Sequence, residues 1–585
     1  MVREERGSAL LLVLFMIVVF VLLGIAVTGA AVGGAKLTQK RENDVQSLHR
    51  AEKALNVAVA HIGSKYDTRS GSEVTLEQLE KDLKDLQALS SEEGEEADEA
   101  EGDHQVIESI RLLTCTEDSK CIEIKAKANV NGVERTLVQE VMLTDYPEAL
   151  NYVMGSQGNV TLNGTPYMLG NIYVGGELKA KDQAEYKYEE VNHTEKTFAF
   201  PKVTQKVYIP GEERISYCDS ETCTGTNYKP IGGDNKSLSE VLGTDKLEAR
   251  NNNQFVSINF DNSFIDKAAE AVRGDKEVRK KLADAYAKPG DDSEGTALVQ
   301  VMKPYMTADQ IIVPPVLSEE PTKEKKEEYD AYLAKMNGDF TESVVHDGDL
   351  FLDGNEIKRL NYIKKEDPTL PGKKGSKWFV VHGDLTIQNE SSDINYELPI
   401  KANILVTGNI TIRGKVKVDS TIFTLGDGGT EISDASIKGM EGADGISRKE
   451  LLLFSKGPIL ITRVNSFEPI TRDYEPNPVK VEGSNVYQLD AFFYTEQNAT
   501  LYGVGSIFWI HGGFFAKGDL TLNAVRGNTS ENAAESKLNV EAQPGLPLQQ
   551  SRLILDYKQN LISNQEVGLP RVERFELKVG NRRLE

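Results

Sequence analysis

The residues best suited to chemistry in this sequence are four cysteines and seven histidines. The cysteines form two close pairs. Cys115 and Cys121 flank Thr116-Glu117-Asp118-Ser119-Lys120, and Cys218 and Cys223 flank Asp219-Ser220-Glu221-Thr222. Each polar interval reads as a turn between strands. The geometry of such a hairpin permits a disulfide across it, which would fit an oxidising compartment. Four free thiols or one four-sulfur metal site are the alternatives, and the intervals are longer than those of zinc hairpins. His346, His382 and His511 each stand just before a glycine corner. If the corners stacked, the imidazoles could meet at a metal, whereas a polar residue at a turn is the plainer reading. Asp427 and Glu431, in Leu425-Gly426-Asp427-Gly428-Gly429-Thr430-Glu431, offer oxygens to calcium or simply close a turn.

Other chemistry is missing. The sequence holds no Gly-x-x-x-x-Gly-Lys-Ser/Thr phosphate loop, no His-Glu-x-x-His helix and no Gly-x-Ser-x-Gly elbow. No catalytic residue, metal or cofactor is expected. Formal net charge is −24 and the isoelectric point is about 5.0, which argues against a phosphate-neutralising surface for nucleic acid.

The elements around these residues begin with an apolar run. Residues 8–35 carry no charge, and Ala9–Val27 alone is long enough to cross a bilayer as a helix. A secretory signal has a shorter apolar region, so a retained single-pass anchor is expected. Arginines and lysines stand on both sides of the span, so charge does not fix its orientation. The cysteine pairs and the large remainder place the C-terminal bulk outside the cytoplasm. Beyond the span, Leu37, Leu48, Ala51, Leu55, Ala58 and Ile62 recur at helical spacing, and Gly63 is a stop signal. Gly24, Gly29, Gly33 and Gly34 would let this helix pack closely against others.

The pattern Glu5-Arg6-Gly7-Ser8-Ala9-Leu10-Leu11-Leu12, the apolar run, and Ala51-Glu52-Lys53-Ala54-Leu55 together resemble the N-terminal domain of PilX-type minor pilins, across residues 1–60. The resemblance implies cleavage by a prepilin peptidase between Gly7 and Ser8. It implies partners among other pilins or pilus-assembly proteins at the cell membrane. Major pilins carry a glutamate at the fifth mature position, where this chain has Leu12. That departure favours a tip or initiating subunit over the main fibre subunit, because it removes the charge pair that recruits a neighbour.

Residues 74–89 read as an amphipathic helix, and the acidic run from Glu92 to Asp103 as a solvated loop. Ile107 to Leu143 reads as an antiparallel meander with a turn at Asn131-Gly132. One long helix followed by such a sheet matches the pilin-like pattern. A pentapeptide, Gly-[Asn/Asp]-apolar-x-apolar, then starts at Gly158, Gly170, Gly348, Gly383, Gly408 and Gly518. A tight corner followed by a short strand suggests a parallel β-helix-like solenoid, with a β-sandwich as the alternative.

The expected organisation is a leader (1–7), a transmembrane and extended amphipathic helix (8–63), and a pilin-like helix plus sheet (64–145). A first β-helix-like segment with a hairpin excursion (146–233), a helical insertion (234–342) and the main β-helix-like segment (343–585) follow. The fold class is thus α+β and then mainly β. Two functions are expected in competition. One is a non-catalytic, membrane-anchored component of a type IV pilus-like assembly that touches a surface or glycan. The other is a membrane-tethered polysaccharide-binding or polysaccharide-cleaving protein.

Overall fold

The structure, a computed structural model, describes the chain apart from residues 1–5, 67–75, 93–103, 117–118, 145–146, 189–190, 253–254, 288–293, 317, 319–320, 364–376, 394, 443–447, 463–486, 533, 542–544, 558–567 and 574. Most of the acidic run lies outside the described residues. The chain forms two units, Met1–Tyr146 with Val572–Glu585, and Pro147–Arg571.

In the first unit, helix α1 runs from Arg6 to Tyr66. Its second half buries Asn43, Ser47, Ala51, Leu55, Ala58, Ile62 and Tyr66, spaced three or four apart and so on one face. Leu37 stays exposed, outside that stripe. Gly63 does not end the helix as expected. One further turn brings Tyr66 into the core, where its hydroxyl donates to Asp82 (3.0 Å) and its ring meets Phe575 edge-on. That burial outweighs the cost of about 1 kcal/mol for an internal glycine. Helix α2 (Leu76–Glu92) adds Leu79, Leu83 and Leu86 to the same core.

The sheet beneath these helices holds β1 (His104–Thr116), β2 (Ser119–Val130) and β3 (Val133–Thr144), all antiparallel. Asn131 and Gly132 both take positive φ, as a two-residue hairpin turn requires. The fourth strand is Glu576–Leu584, paired antiparallel with β3 from Thr144↔Glu576 to Leu137↔Leu584. This corrects the expectation that 343–585 is one continuous segment. The chain returns to close the first unit's sheet, so the whole second unit is inserted between two adjacent strands. Arg582 fastens the return, donating to Gln139 (2.9 Å) and to Asn56 on α1 (2.8 Å).

The second unit is dominated by a 29-stranded sheet. Its pairings are parallel, apart from Ile215–Cys218 with Lys229–Pro230, and they run in three ladders. The first passes through Val344–His346, Trp378–Val381, Asn403–Val406, Ser420–Thr424, Leu451–Ser455, Ala491–Thr495 and the end of Phe508–Ala516. It continues through Met154–Ser156, Ile172–Val174, Val207–Ile209 and Leu247–Ala249. The second ladder runs from Leu350–Leu352 to Ile215–Cys218 and the third from Asp339–Phe340 to Lys202–Val203. Valine, isoleucine and leucine from all three point into one continuous core.

The order of strands is not the order of the sequence. The first strands of the unit, Met154–Ser156 and Val160–Gly164, pair with late ones, Phe508–Ala516 and Leu520–Ala524. From there the chain runs to one end of the ladders at Leu247–Ala249. It re-enters at the opposite end through Ile311–Ile312 and Val344–His346.

The region expected as a helical insertion makes that crossing. It holds α3 (Leu238–Leu242), α4 (Phe260–Ala271), α5 (Lys276–Tyr286), α6 (Glu294–Met302) and α7 (Lys323–Met336). α4 lies on the outer side of the first ladder. Trp378 donates its indole N–H to Glu270 (3.1 Å), and Phe260 packs on Phe423 at 6.0 Å. Beneath the cover, Phe423, Phe454, Tyr494 and Phe515 stack rung on rung, all buried. The hairpin excursion expected within 146–233 is formed by Gln183–Tyr188 and Val191–Lys196, whereas Ile215–Cys218, beside the second cysteine pair, belongs to the second ladder.

Candidate functional site

The most exposed apolar surface is the first half of α1. From Leu10 to Val27 its large apolar side chains stand outside the fold, an arrangement stable only in lipid or against other helices. By length and composition this helix can cross a membrane. Gly7 and Ser8 lie within its first two turns, and Leu12 is exposed. Space is open around Gly24, Gly29, Gly33 and Gly34. At 3.6 residues per turn, Gly29 and Gly33 share a face, whereas Gly24 and Gly34 point elsewhere, so the four do not form one seam. The Thr28 hydroxyl, inside the uncharged run, donates to the Gly24 carbonyl (2.7 Å), and that of Thr38, just beyond it, to the Gly34 carbonyl (3.0 Å).

The cysteine pairs resolve toward disulfides. Cys218 and Cys223 are bonded, with Cα atoms 5.8 Å apart. Cys121 is also disulfide-bonded, and the side chain of Cys115 lies outside the described residues.

The histidines do not converge. His346 and His382 sit on neighbouring rungs, but each has its own partners. His346 is buried, with Nδ1 on the Gly348 carbonyl (2.9 Å) and Nε2 at the Tyr332 hydroxyl (3.0 Å). His382 has Nδ1 at Asp347 (2.7 Å) and Nε2 at the Thr296 hydroxyl (3.1 Å). Asp347 also pairs with Lys303 (2.6 Å). Burial pushes this carboxyl up, but Lys303 and His382 outweigh it and hold it below its ordinary range. The carboxylate–imidazole–hydroxyl chain fastens α6 to the first ladder. His511 stands on the third ladder, near Asp490 (3.3 Å). Glu431 pairs with Arg413 (3.2 Å), and Asp427 is exposed in its turn. Among the described residues no three metal-type ligands come together.

His346 gives a pH dependence with a definite sign. Burial lowers its pKa below 6.5, against the opposing pull of the Gly348 carbonyl, Asp347 and Asp349. Below pH 6.5 the unfolded chain therefore binds more protons than the folded one. The stabilisation is complete above that value and is lost as pH falls toward the folded pKa. As pH falls below 6.5, the melting temperature of the wild type should drop more steeply than that of His346→Gln. Equal slopes would mean that the imidazole already titrates freely in the fold.

The pentapeptide glycines do stack. A Cβ on Gly408 would lie 2.7 Å from the backbone of Gly383, one on Gly426 2.5 Å from Gly408, and one on Gly158 2.9 Å from Gly518. Gly348 and Gly383 also take positive φ. At this corner Asn and Asp side chains accept the backbone N–H of the next rung. Asp349 takes it from Asp384, Asp384 from Asn409, Asn498 from Asp519, Asp519 from Asn159, and Asn159 from Glu177, all at 2.7–2.9 Å. Gly170 belongs to a different corner, with Asn171 accepting from Lys206 (3.1 Å).

Two residues beyond this row on each strand lies a second outward row, in register along the second ladder. It reads Phe351, Thr386, Thr411, Glu431, Leu460, Thr500, Thr521, Thr161, Lys179 and Ser216. Thr386, Thr411, Thr521 and Thr161 stand in the sequence as the variable residue of the pentapeptide, and Thr500 lies outside it, but periodicity alone did not set them on one face. The row runs into an open recess of about 490 Å³ lined by Glu177, Arg214, Ser216 and Tyr228, among others.

No family model matches the sequence, and no curated protein matches it. Among solved structures the chain is similar to the crystal structure of the competence-associated pilin ComZ from Thermus thermophilus, with 11% identity, a TM-score of 0.26, and coverage of 93% of this chain and 98% of that one.

Proposed function

We propose that the protein is a membrane-anchored, pilin-like subunit of a type IV pilus-like assembly, acting by packing and surface contact rather than by catalysis. The observation that carries this reading is helix α1: one continuous helix, apolar and exposed at its start, then buried along one stripe against a four-stranded antiparallel sheet. Its N-terminal residues resemble those of PilX-type minor pilins, so Gly7–Ser8 is the processing site and Ser8 the mature N-terminus. Leu12 in place of the fifth-position glutamate fits a tip or initiating subunit, which needs no charge pair to recruit a successor. In lipid, Gly29 and Gly33 offer the close-packing face to a neighbouring pilin helix.

The inserted unit is, in this reading, a β-helix displayed outside the cytoplasm. Its support is the register: three parallel ladders advance together, one rung after another, around a single apolar core. The disulfide at Cys218–Cys223 fits an oxidising compartment.

The reading predicts that detergent extracts of the native cell, purified through this chain, contain other pilins or pilus-machinery components. Replacing both Gly29 and Gly33 with leucine should reduce that recovery about tenfold, as close helix contact is lost. Repeated recovery of the chain alone would oppose the assembly reading.

A further inference from the structure

Of the three ladders, the first is covered by α4 and its neighbours. The third is covered at one end, where Trp509, Ile554 and Tyr167 are buried with Leu548. The second presents its outward rows along its length. Thr386, Thr411, Thr500, Thr521 and Thr161 are all partly exposed, and the flanking corner row of Asn and Asp is hydrogen-bonded at exposed positions.

We infer that this face is a binding surface for an extended neutral polysaccharide lying along the stack, with its end in the recess at Tyr228. The inference deepens the surface-contacting reading above and rests on its placing this unit outside the cytoplasm. Three observations carry it. First, parallel strands repeat every 4.7–4.9 Å, so the in-register threonines form two short lines of hydroxyls, Thr386–Thr411 and Thr500–Thr521–Thr161, separated by Glu431 and Leu460, with each hydroxyl able to donate and accept. A polyhydroxyl chain of repeating rings is the partner that can use such a line. Second, the threonine row holds no unpaired charge, since Glu431 and Lys179 are paired with Arg413 (3.2 Å) and Glu177 (3.1 Å), and the corner row beside it adds only the carboxylates of Asp349, Asp384 and Asp519 to its amides. Such a row offers neither attraction to a polyanion nor a basic track for nucleic acid. Third, the row and the corner row both end in the recess, at Ser216 and Glu177, where Tyr228 supplies a ring for a sugar face beside hydrogen-bonding side chains.

The test uses the full chain in detergent micelles, sedimented with insoluble cellulose and chitin, and in parallel with pectate gel and with double-stranded DNA on beads. The wild type should be retained on at least one neutral polysaccharide. The combined variant Thr386→Val, Thr411→Val, Thr500→Val and Thr521→Val keeps β-branched side chains and removes the hydroxyls. It should lose retention about tenfold or more, as several hydrogen bonds go together, with its melting temperature nearly unchanged. If that variant melts early, Thr411→Lys alone serves, since one charge breaks the neutral row. Lys417→Ala, on the third ladder, should bind as the wild type does. Absence of retention on every neutral polysaccharide, equal retention of the valine variant, or preference for pectate or DNA would overturn the inference. Peptidase processing at Gly7 is read separately, so loss of glycan retention with processing intact sinks this inference and leaves the assembly reading standing.

Discussion

Removing residues 575–585 should unfold the first unit while the second keeps its structure. The C-terminal strand supplies a full edge of the antiparallel sheet, from Thr144↔Glu576 to Leu137↔Leu584. It also brings the core residue Phe575, 3% exposed, against Tyr66. Truncating that ring alone, as Phe575→Ala, should cost about 3–5 kcal/mol by lost burial and the cavity left behind. The deletion adds the loss of Leu577 and of the Arg582 bonds to Gln139 and Asn56, and it turns β3 into an exposed edge open to aggregation. Hydrogen exchange followed by mass spectrometry should show protection lost across residues 119–144 and retained across 378–424. Unchanged protection in β2 and β3 would mean that the returning strand is dispensable.

The second large effect is expected at the corner glycines. In Gly426→Ala the new methyl would sit 2.5 Å from the carbonyl carbon and oxygen of Gly408, which are backbone and cannot rotate aside. Gly457 presses on the same point from the next rung, where a Cβ would meet the Gly426 oxygen at 2.3 Å. The rungs must separate locally, with a cost at or above the upper end of the 1–3 kcal/mol typical of overpacking. Gly225→Ala is the matched control, because nothing lies within 4 Å of its added methyl, and it should change stability by less than about 0.5 kcal/mol. Thermal unfolding of the two variants separates a steric need for glycine from a mere turn preference. Similar melting temperatures would remove the stacking explanation.

These two sites also mark what sequence reasoning reaches. The apolar run and the Asn131-Gly132 turn are encoded within a few residues and stand where hydropathy and turn chemistry put them, and the stripe of α1 does so from Ala51 to Ile62, whereas Leu37 falls outside it. The pentapeptide is local too, and all but its Gly170 copy lie at one stacked corner; a short pattern cannot say which corner of a rung it serves. What local patterns cannot hold is pairing between distant strands. The strand Glu576–Leu584 finds its partner β3 more than four hundred positions earlier, and nothing in either segment names the other. The strand order of the second unit was hidden for the same reason: Val160–Gly164 meets Leu520–Ala524, while the helices between the two halves of the stack look from sequence like a lateral decoration. They are instead the crossing from one end of the ladders to the other, and α4 covers the aromatic stack on the way. The histidines show the opposite failure. Their shared position before glycine corners suggested convergence, yet each imidazole has separate partners: Tyr332 for His346, Thr296 and Asp347 for His382, and Asp490 for His511.

The covered aromatic stack also bears on the competing carbohydrate-active reading. Phe423, Phe454, Tyr494 and Phe515 would make a sugar platform if open, but all four are buried, with Phe260 of α4 packed on Phe423 and Phe255 on Phe515. On the second ladder, by contrast, the threonine row and the Asn and Asp corner row beside it stay partly exposed.

The central claim is that this chain enters the pilin pathway through its N-terminus. Its most direct test is intact-mass and N-terminal analysis of the full chain, expressed with and without a prepilin peptidase. The account predicts a peptidase-dependent loss of residues 1–7 and a new N-terminus at Ser8. An N-terminus left uncut by an active peptidase would contradict it, and would leave a tethered ectodomain whose function lies in the inserted unit alone.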